Sequence, residues 1–351
     1  MKQDSHKPVV LIIHPGTLGD VMLSLTAIDR LRRRFQDHEL IILVQGEIGE
    51  VLYEYDVVDR ALNIDGAILR ELFVEHPQLE TDVAHVFSRC RYALIWGNDL
   101  DGRVFMNLQS LGVENICIVS PHDPSFLAIH QADRYCESLM DWERDNAEFG
   151  VPDPFRLRGD GQGGKKIFRV CPISHNPKVL MIHPGSGSRH KCLHPEKIGA
   201  IIRWLTKSQD FRIILCQGPA DEKVFSDLQP YLNQIPHEIL KNFNLIKMAK
   251  AIRKTDVFLG HDSGLTHLAA ALGVPTIALF GPTDPQRWAP KGSNVEILQG
   301  PCCQCQDWNA VQQCSDKICL THSIDDIVQA VDRLLADSRK VGHLGNVVKV
   351  T

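Results

Sequence analysis

Apolar residues in this chain fall into short unbroken runs, separated by stretches in which they recur every three or four positions. VVLII (9–13), LIILV (40–44), YALIW (92–96) and NICIV (115–119) carry no polar alternation, so each reads as a strand buried on both faces. Between the first two runs, Val21, Leu25, Ile28 and Phe35 recur at helical spacing over residues 20–35. The alternation restarts in the second half, with strands predicted at KVLMIH (178–183), FRIILC (211–216), DVFLG (256–260) and PTIALFG (275–281). Residues 195–206 predict a helix with Ile198, Ile201, Ile202 and Leu205 on one face. LTHLAAALG (265–273) predicts a helix closed by glycine, and IDDIVQAVDRLL (324–335) a terminal amphipathic helix.

Residues 150–178 are rich in Pro and Gly and have no period, which marks a linker. The expected fold class is therefore α/β: two doubly wound, Rossmann-like domains with parallel sheets, facing each other across a cleft. The first covers 1–165, the second 176–323, and a C-terminal helix and tail follow over 324–351. In such sheets ligands bind at the carboxyl ends of strands.

Composition narrows the class. The chain has 351 residues, 44% hydrophobic and 23% charged, as in a globular protein of two ordinary domains. A formal net charge of −5 leaves no general basic field for nucleic acid. No apolar run approaches the ~20 residues of a membrane span, and MKQDSHKPVV lacks the apolar core of a secretory leader. A cytoplasmic protein is expected. Eleven cysteines, an odd number, argue against a disulfide framework.

The candidate chemistry lies where apolar strands run into small-residue loops. The tripeptide His-Pro-Gly ends the first strand (IIHPGTLGD) and recurs at the end of the strand at 178–183 (MIHPGSGSRHK). Proline restricts φ there, and glycine admits conformations closed to other residues. Asp20 stands at the start of a helix, either as a capping carboxylate or as a general base. The second loop collects hydroxyls, backbone donors and cations in Ser186, Gly187, Ser188, Arg189, His190 and Lys191, a set suited to a diphosphate or to a solvated basic loop. GPADE (218–222) offers a carboxylate, Glu222, for a ribose or sugar hydroxyl. In DVFLGHDSGLTHLAAALG, a polar loop (His261 to Gly264) opens a helix whose first N–H groups form an anion site. Plain N-capping by Asp262 or Ser263 is the alternative. GPTDP (281–285) follows the next strand on the same edge and favours a phosphate-containing ligand. Neither G-x-G-x-x-G nor G-x-x-x-x-G-K-[ST] is present.

Three further features compete for a role. Cys302, Cys303, Cys305, Cys314 and Cys319 could supply four thiolates to zinc, but no paired C-x-x-C occurs and reduced thiols are the preferred reading. Asp99-Leu100-Asp101 matches a D-x-D metal site by its three residues alone, and its loop reads as an ordinary turn. Arg30, Arg32, Arg33 and Arg34 end the first helix, where they complement its dipole; attraction to anionic lipid or a phosphorylated acceptor is the other use.

LGDVMLSLTAIDRLRR (18–33), HPGSGSRHKCLHPEK (183–197), CQGPADE (216–222) and FLGHDSGLTHLAAALGVPTIALFGPTDPQRW (258–288) together resemble glycosyltransferase family 9, the ADP-heptose:lipopolysaccharide heptosyltransferases. HQADRYCESL (130–139) looks like the family's helix before the domain crossover. The resemblance implies a GT-B fold, an acceptor domain followed by a nucleotide-sugar domain, and inverting, metal-independent transfer with no cofactor. Asp20 matches the family's catalytic aspartate and Lys191 a lysine near the donor phosphates. Asp262, Ser263, Gly264 and His267 match the donor-binding helix start; Ser186, Gly187, Ser188 and Glu222 complete the expected donor site. His14 and Gly19 are expected on the acceptor side. Two departures stand out. His14 replaces the family's Arg or Lys before Gly-Asp, and the Lys-x-Trp-Pro segment reads Lys191-Cys-Leu-His194-Pro195, one residue longer and without Trp.

The implied reaction moves a sugar of the heptose class from an ADP donor to a lipopolysaccharide core or similar glycolipid, in the cytoplasm with peripheral contact at the inner membrane. A nucleotide-sugar epimerase or a non-catalytic nucleotide-sugar binder on the same fold are the alternatives. The epimerase would need no acceptor, and the binder would have no turnover.

Overall fold

The computed structural model describes residues 7–65, 71–72, 74, 81–121, 129–139, 177–208 and 211–343. Most of the expected linker, 150–176, lies outside them. The chain divides into two compact units, Met1–Gly164 and Lys165–Thr351.

The described residues of the first unit form five strands: β1 (Val9–Ile13), β2 (Glu39–Val44), β3 (Arg60–Asn63), β4 (Cys90–Trp96) and β5 (Asn115–Val119). All pair in parallel, in the order β3-β2-β1-β4-β5. Every residue of β1 is buried, as its unbroken apolar run requires at the centre of a sheet covered on both faces. The helix Leu18–Arg34 buries Val21, Leu25 and Ile28 along one stripe.

The described residues of the second unit form six strands: β6 (Lys178–His183), β7 (Phe211–Gln217), β8 (Glu238–Lys241), β9 (Val257–His261), β10 (Thr276–Phe280) and β11 (Val295–Gln299). They too are parallel, in the order β11-β10-β9-β6-β7-β8. Counted from β6 this is the 3-2-1-4-5-6 order of a dinucleotide-binding sheet. The helix Pro195–Ser208 lays Ile198, Ile201, Ile202 and Leu205 into the core of this unit. The helix Ile324–His343 packs there as well, through Ile327, Val328, Val331 and Leu334.

Three strands escape the sequence pattern. β3 (RALN) and β8 (EILK) are four residues each and lie at sheet edges, as β11 (VEILQ) does. An edge strand is paired and covered less completely, so polar residues interrupt the run that would reveal it.

In each unit the strand order reverses between its first and fourth strands, β1 and β4 in one, β6 and β9 in the other. At such a switch point the two following loops leave in opposite directions and open a crevice. Both His-Pro-Gly tripeptides leave their sheet there. The repeat in the sequence is a repeat of position in the fold.

Candidate functional site

At the first switch point His14 ends the buried run and is 1% exposed. Its ring lies 5.2 Å from that of Trp96, the last residue of β4, and 5.4 Å from that of Tyr135. Its Nδ1 accepts from the Gly16 N–H at 3.1 Å. A Cβ on Gly16 would stand 2.7 Å from the His14 ring and 2.8 Å from the Asp20 Cβ, so the turn closes only around a glycine. Asp20 Oδ2 accepts from the Thr17 N–H (3.0 Å) and the Thr17 hydroxyl (2.7 Å), tying the carboxylate to the helix start. Gly19 sits beside it in the first turn. His14 therefore shapes the turn that carries Asp20, and Asp20 is both a helix-start ligand and half-exposed.

The other candidates of this unit take structural places. Asp99 accepts from the Val104 and Phe105 N–H groups at 3.1 and 2.9 Å, so this acidic residue stabilises a helix start. Arg32 donates to Asp59 and to the Val57 carbonyl, and Arg33 pairs with Asp29 one turn earlier.

At the second switch point the loops after β6 and β9 meet. Ser186 donates to the backbone carbonyl of Asp262 at 2.6 Å. Lys191 lies in a single turn of 3-10 helix, which Ser188 caps from its hydroxyl, and its Nζ stands 2.7 Å from Asp262 Oδ2. Thr283, from the loop after β10, donates to the same oxygen at 2.9 Å; His267 Nε2 is 3.8 Å from the other. Burial pushes the Asp262 carboxyl up, but His267 and Lys191 outweigh it and hold it well below the usual carboxylate range. The buried charge is thus compensated from three sides. The Lys191 ammonium also lies 5.8 Å from the centre of the Trp308 ring, close enough for cation–π attraction.

Ser263 is the N-cap of the helix Gly264–Ala271, yet its hydroxyl makes no capping hydrogen bond. It lies 3.1 Å from His183 Nδ1 and 3.0 Å from the Thr266 hydroxyl. Thr266 donates to the His261 carbonyl. On its far side His183 Nε2 meets Asp221 Oδ2 at 2.9 Å, and Asp221 also accepts from the Gly218 N–H at 2.7 Å. Burial drives the His261 imidazole down to about 3, and as a neutral ring its Nε2 accepts from the Leu193 N–H at 3.0 Å.

Ser186, Ser188, Lys191, Asp262, Ser263, Gly264 and His267 therefore gather around two adjacent loops. Gly187 is exposed at the loop's tip. Glu222 is exposed at the start of the helix Glu222–Leu228; its neighbour Asp221 is the carboxylate that turns inward. His183, Asp221, Thr283 and Trp308 were not singled out from sequence. The repeated His-Pro-Gly pointed to the first of these, but what a buried histidine faces depends on strands distant in the chain. Among the described residues, no group of three or more His, Cys, Asp or Glu side chains is arranged to hold a metal ion. The described cysteines are free thiols.

The model of glycosyltransferase family 9 (heptosyltransferase) matches residues 142–317. A lipooligosaccharide heptosyltransferase 2 from Haemophilus influenzae is 31% identical over 332 residues, covering 83% of this chain and 88% of that protein. The chain belongs to glycosyltransferase family 9. Not every family 9 match is so extensive: a lipopolysaccharide heptosyltransferase 1 from Campylobacter coli is 32% identical over 130 residues, and the chain spans 38% of its length. Among solved structures, an Escherichia coli ADP-heptose lps heptosyltransferase II has a TM-score of 0.68 at 15% identity, covering 94% of this chain and 99% of that one. Escherichia coli heptosyltransferase WaaC with ADP has a TM-score of 0.63 at 16% identity, covering 93% and 99%. At such identities the likeness speaks for fold, the pair of parallel-sheet α/β domains of the GT-B class. Among the described residues no helix is long and apolar enough to cross a membrane.

Proposed function

We propose that this family 9 member transfers a heptose from an ADP-linked donor to an inner-core lipopolysaccharide or similar glycolipid acceptor, with inversion and without a metal ion. The observation that carries the reading is the junction of loops at the second switch point. There Lys191, Ser186 and the uncapped start of the helix Gly264–Ala271 come together on Asp262. A helix start with open N–H groups beside an ammonium is suited to a diphosphate. An ammonium has three donors; one is used on Asp262, which leaves two for phosphate oxygens. ADP and heptose come from the names of the relatives, which agree with this chemistry.

In the transfer, Asp20 takes the proton from an acceptor hydroxyl as its oxygen attacks the anomeric carbon. Both Thr17 contacts end on Oδ2, which leaves Oδ1 as the oxygen for that proton. As the bond to the donor oxygen breaks, charge grows on the departing diphosphate. Lys191 and the backbone N–H groups meet that charge, the part a divalent cation plays in many nucleotide-sugar enzymes. The enzyme would act in the cytoplasm, where nucleotide sugars are made, at the face of the inner membrane that presents the acceptor.

The test is Asp20→Asn, which keeps an acceptor oxygen for Thr17. Turnover should fall about 10²–10⁴-fold, the usual contribution of a general base, while the Kd for ADP, measured by calorimetry, holds. An unchanged turnover would remove Asp20 as the base. Consumption of donor at full rate with no acceptor present would replace transfer with an epimerase or hydrolase.

A further inference from the structure

Four polar side chains behind the proposed phosphate site are nearly sealed from solvent: His183 is 5% exposed, Asp221 3%, Ser263 7% and Thr266 1%. They form one unbroken chain of contacts, Asp221 to His183 (2.9 Å), His183 to Ser263 (3.1 Å) and Ser263 to Thr266 (3.0 Å). The chain crosses the loops after β7, β6 and β9. Two glycines make room for it. A Cβ at Gly185 would lie 1.8 Å from Asp221 Oδ1, and one at Gly260 would lie 2.4 Å from the Thr266 hydroxyl.

An N-cap serine ordinarily turns its oxygen to an N–H of the first helical turn and satisfies it. Here that oxygen faces inward. The two ring nitrogens of His183 are both engaged, Nε2 with Asp221 and Nδ1 with Ser263. The ring is held in one orientation by Asp221, which is itself fixed by the Gly218 N–H. The Thr266 N–H donates to the Ser263 carbonyl at 3.0 Å, so the first turn has the Gly264 and Leu265 N–H groups to offer. We propose that His183, anchored on Asp221, is a positioning residue for the donor: it draws the Ser263 hydroxyl inward and keeps the Gly264 and Leu265 N–H groups of the helix Gly264–Ala271 open to the donor's phosphates. This rests on the donor reading given above. Without the ring the serine turns outward, caps its own helix and competes with the ligand. His183 never touches substrate; it acts through Ser263.

That indirectness makes the proposal testable by a double-mutant cycle. ADP and adenosine binding are measured by calorimetry for the wild type, His183→Gln, Ser263→Ala and the double variant, with a thermal melt of each. Gln reaches the Nε2 position and keeps the contact with Asp221 but offers nothing at Nδ1. His183→Gln should weaken ADP about two- to thirtyfold, the range of an N-cap hydrogen bond, and leave adenosine unaffected. In the Ser263→Ala background the same change should cost less than about twofold, the limit of independent effects. An equal loss in both backgrounds, or an equal loss for adenosine, overturns the proposal, because a general loosening of the fold would act so. If His183→Gln does not fold, Asp221→Asn weakens the anchor with the ring in place, and its penalty on ADP must vanish likewise with Ser263→Ala. A wild type that binds no ADP overturns the donor reading itself, and this inference with it.

Discussion

Residue by residue, the proposed acid–base and phosphate groups sit where close approach is possible only because a Cβ is missing. Gly16 is the plainest instance. His14 is held between Trp96 and Tyr135 and has no room to yield, so a methyl at position 16 must displace Asp20. Gly16→Ala should destabilise the protein by about 1–3 kcal/mol, the range for an overpacked site. It should also lower kcat more than it raises the KM for donor. Urea titration and steady-state kinetics check the two parts; a variant with unchanged kcat would show that Asp20 tolerates displacement. Glu222 and Asp221 show what neighbours in sequence can conceal. Both are carboxylates in one short turn, but one faces solvent and the other is locked between His183 and Gly218.

The central strands and the longer helices, Leu18–Arg34, Pro195–Ser208 and Ile324–His343, were legible because burial imposes a period. Ile198, Ile201, Ile202 and Leu205 predicted one face of a helix, and that face is in the core. The edge strands β3, β8 and β11 were illegible because their neighbours lie on one side only, and EILK or RALN satisfies an edge as well as an apolar run would. The edge strand β5 was legible from NICIV, but it is half-buried rather than buried on both faces as that run suggested, because no strand covers its outer side. The ion pairs that tie strands together differ for the same reason. Asp256, just before β9, has a side chain only 5% exposed, which accepts from the Lys178 ammonium (2.8 Å) and the Val179 N–H (2.8 Å). Arg212 and Glu238 join β7 to edge strand β8 by two hydrogen bonds, both side chains exposed. Asp256→Ala should cost roughly 1–3 kcal/mol, since it strands a backbone donor. Glu238→Ala should cost less than about 1 kcal/mol, because water screens the pair. Chemical denaturation of the two variants side by side decides this, and a reversed order would contradict the burial argument.

For the molecule as a whole, acid stability follows from a buried neutral histidine. The folded protein holds His261 near 3, whereas the unfolded chain protonates it near its ordinary 6.5. Between those values the unfolded state binds the extra proton, so stability is full above pH 6.5 and declines as pH falls toward 3. One such group contributes a slope of up to about 1.4 kcal/mol per pH unit. His322, also pushed down by burial, adds a slope of the same sign. His261→Gln, whose amide oxygen can still accept from Leu193, should flatten the decline of unfolding free energy on the acid side. An unchanged pH profile would mean that another group governs it. Although helices such as Gly46–Glu54, Arg103–Ser110 and Leu245–Ile252 went unread, the sequence by itself determined the number of sheets, their parallel sense, some of the helices that cover them and the loops from which a ligand site could be built. These follow from local periodicity and from glycine and proline at strand ends. Only the tertiary structure decided that His183 faces Ser263, that Asp221 rather than Glu222 turns inward, and that Lys191 closes on Asp262. The physical reason is that each such pair joins strands far apart in the chain but adjacent at a switch point, and a chain's period carries no record of what its neighbour across the sheet will be.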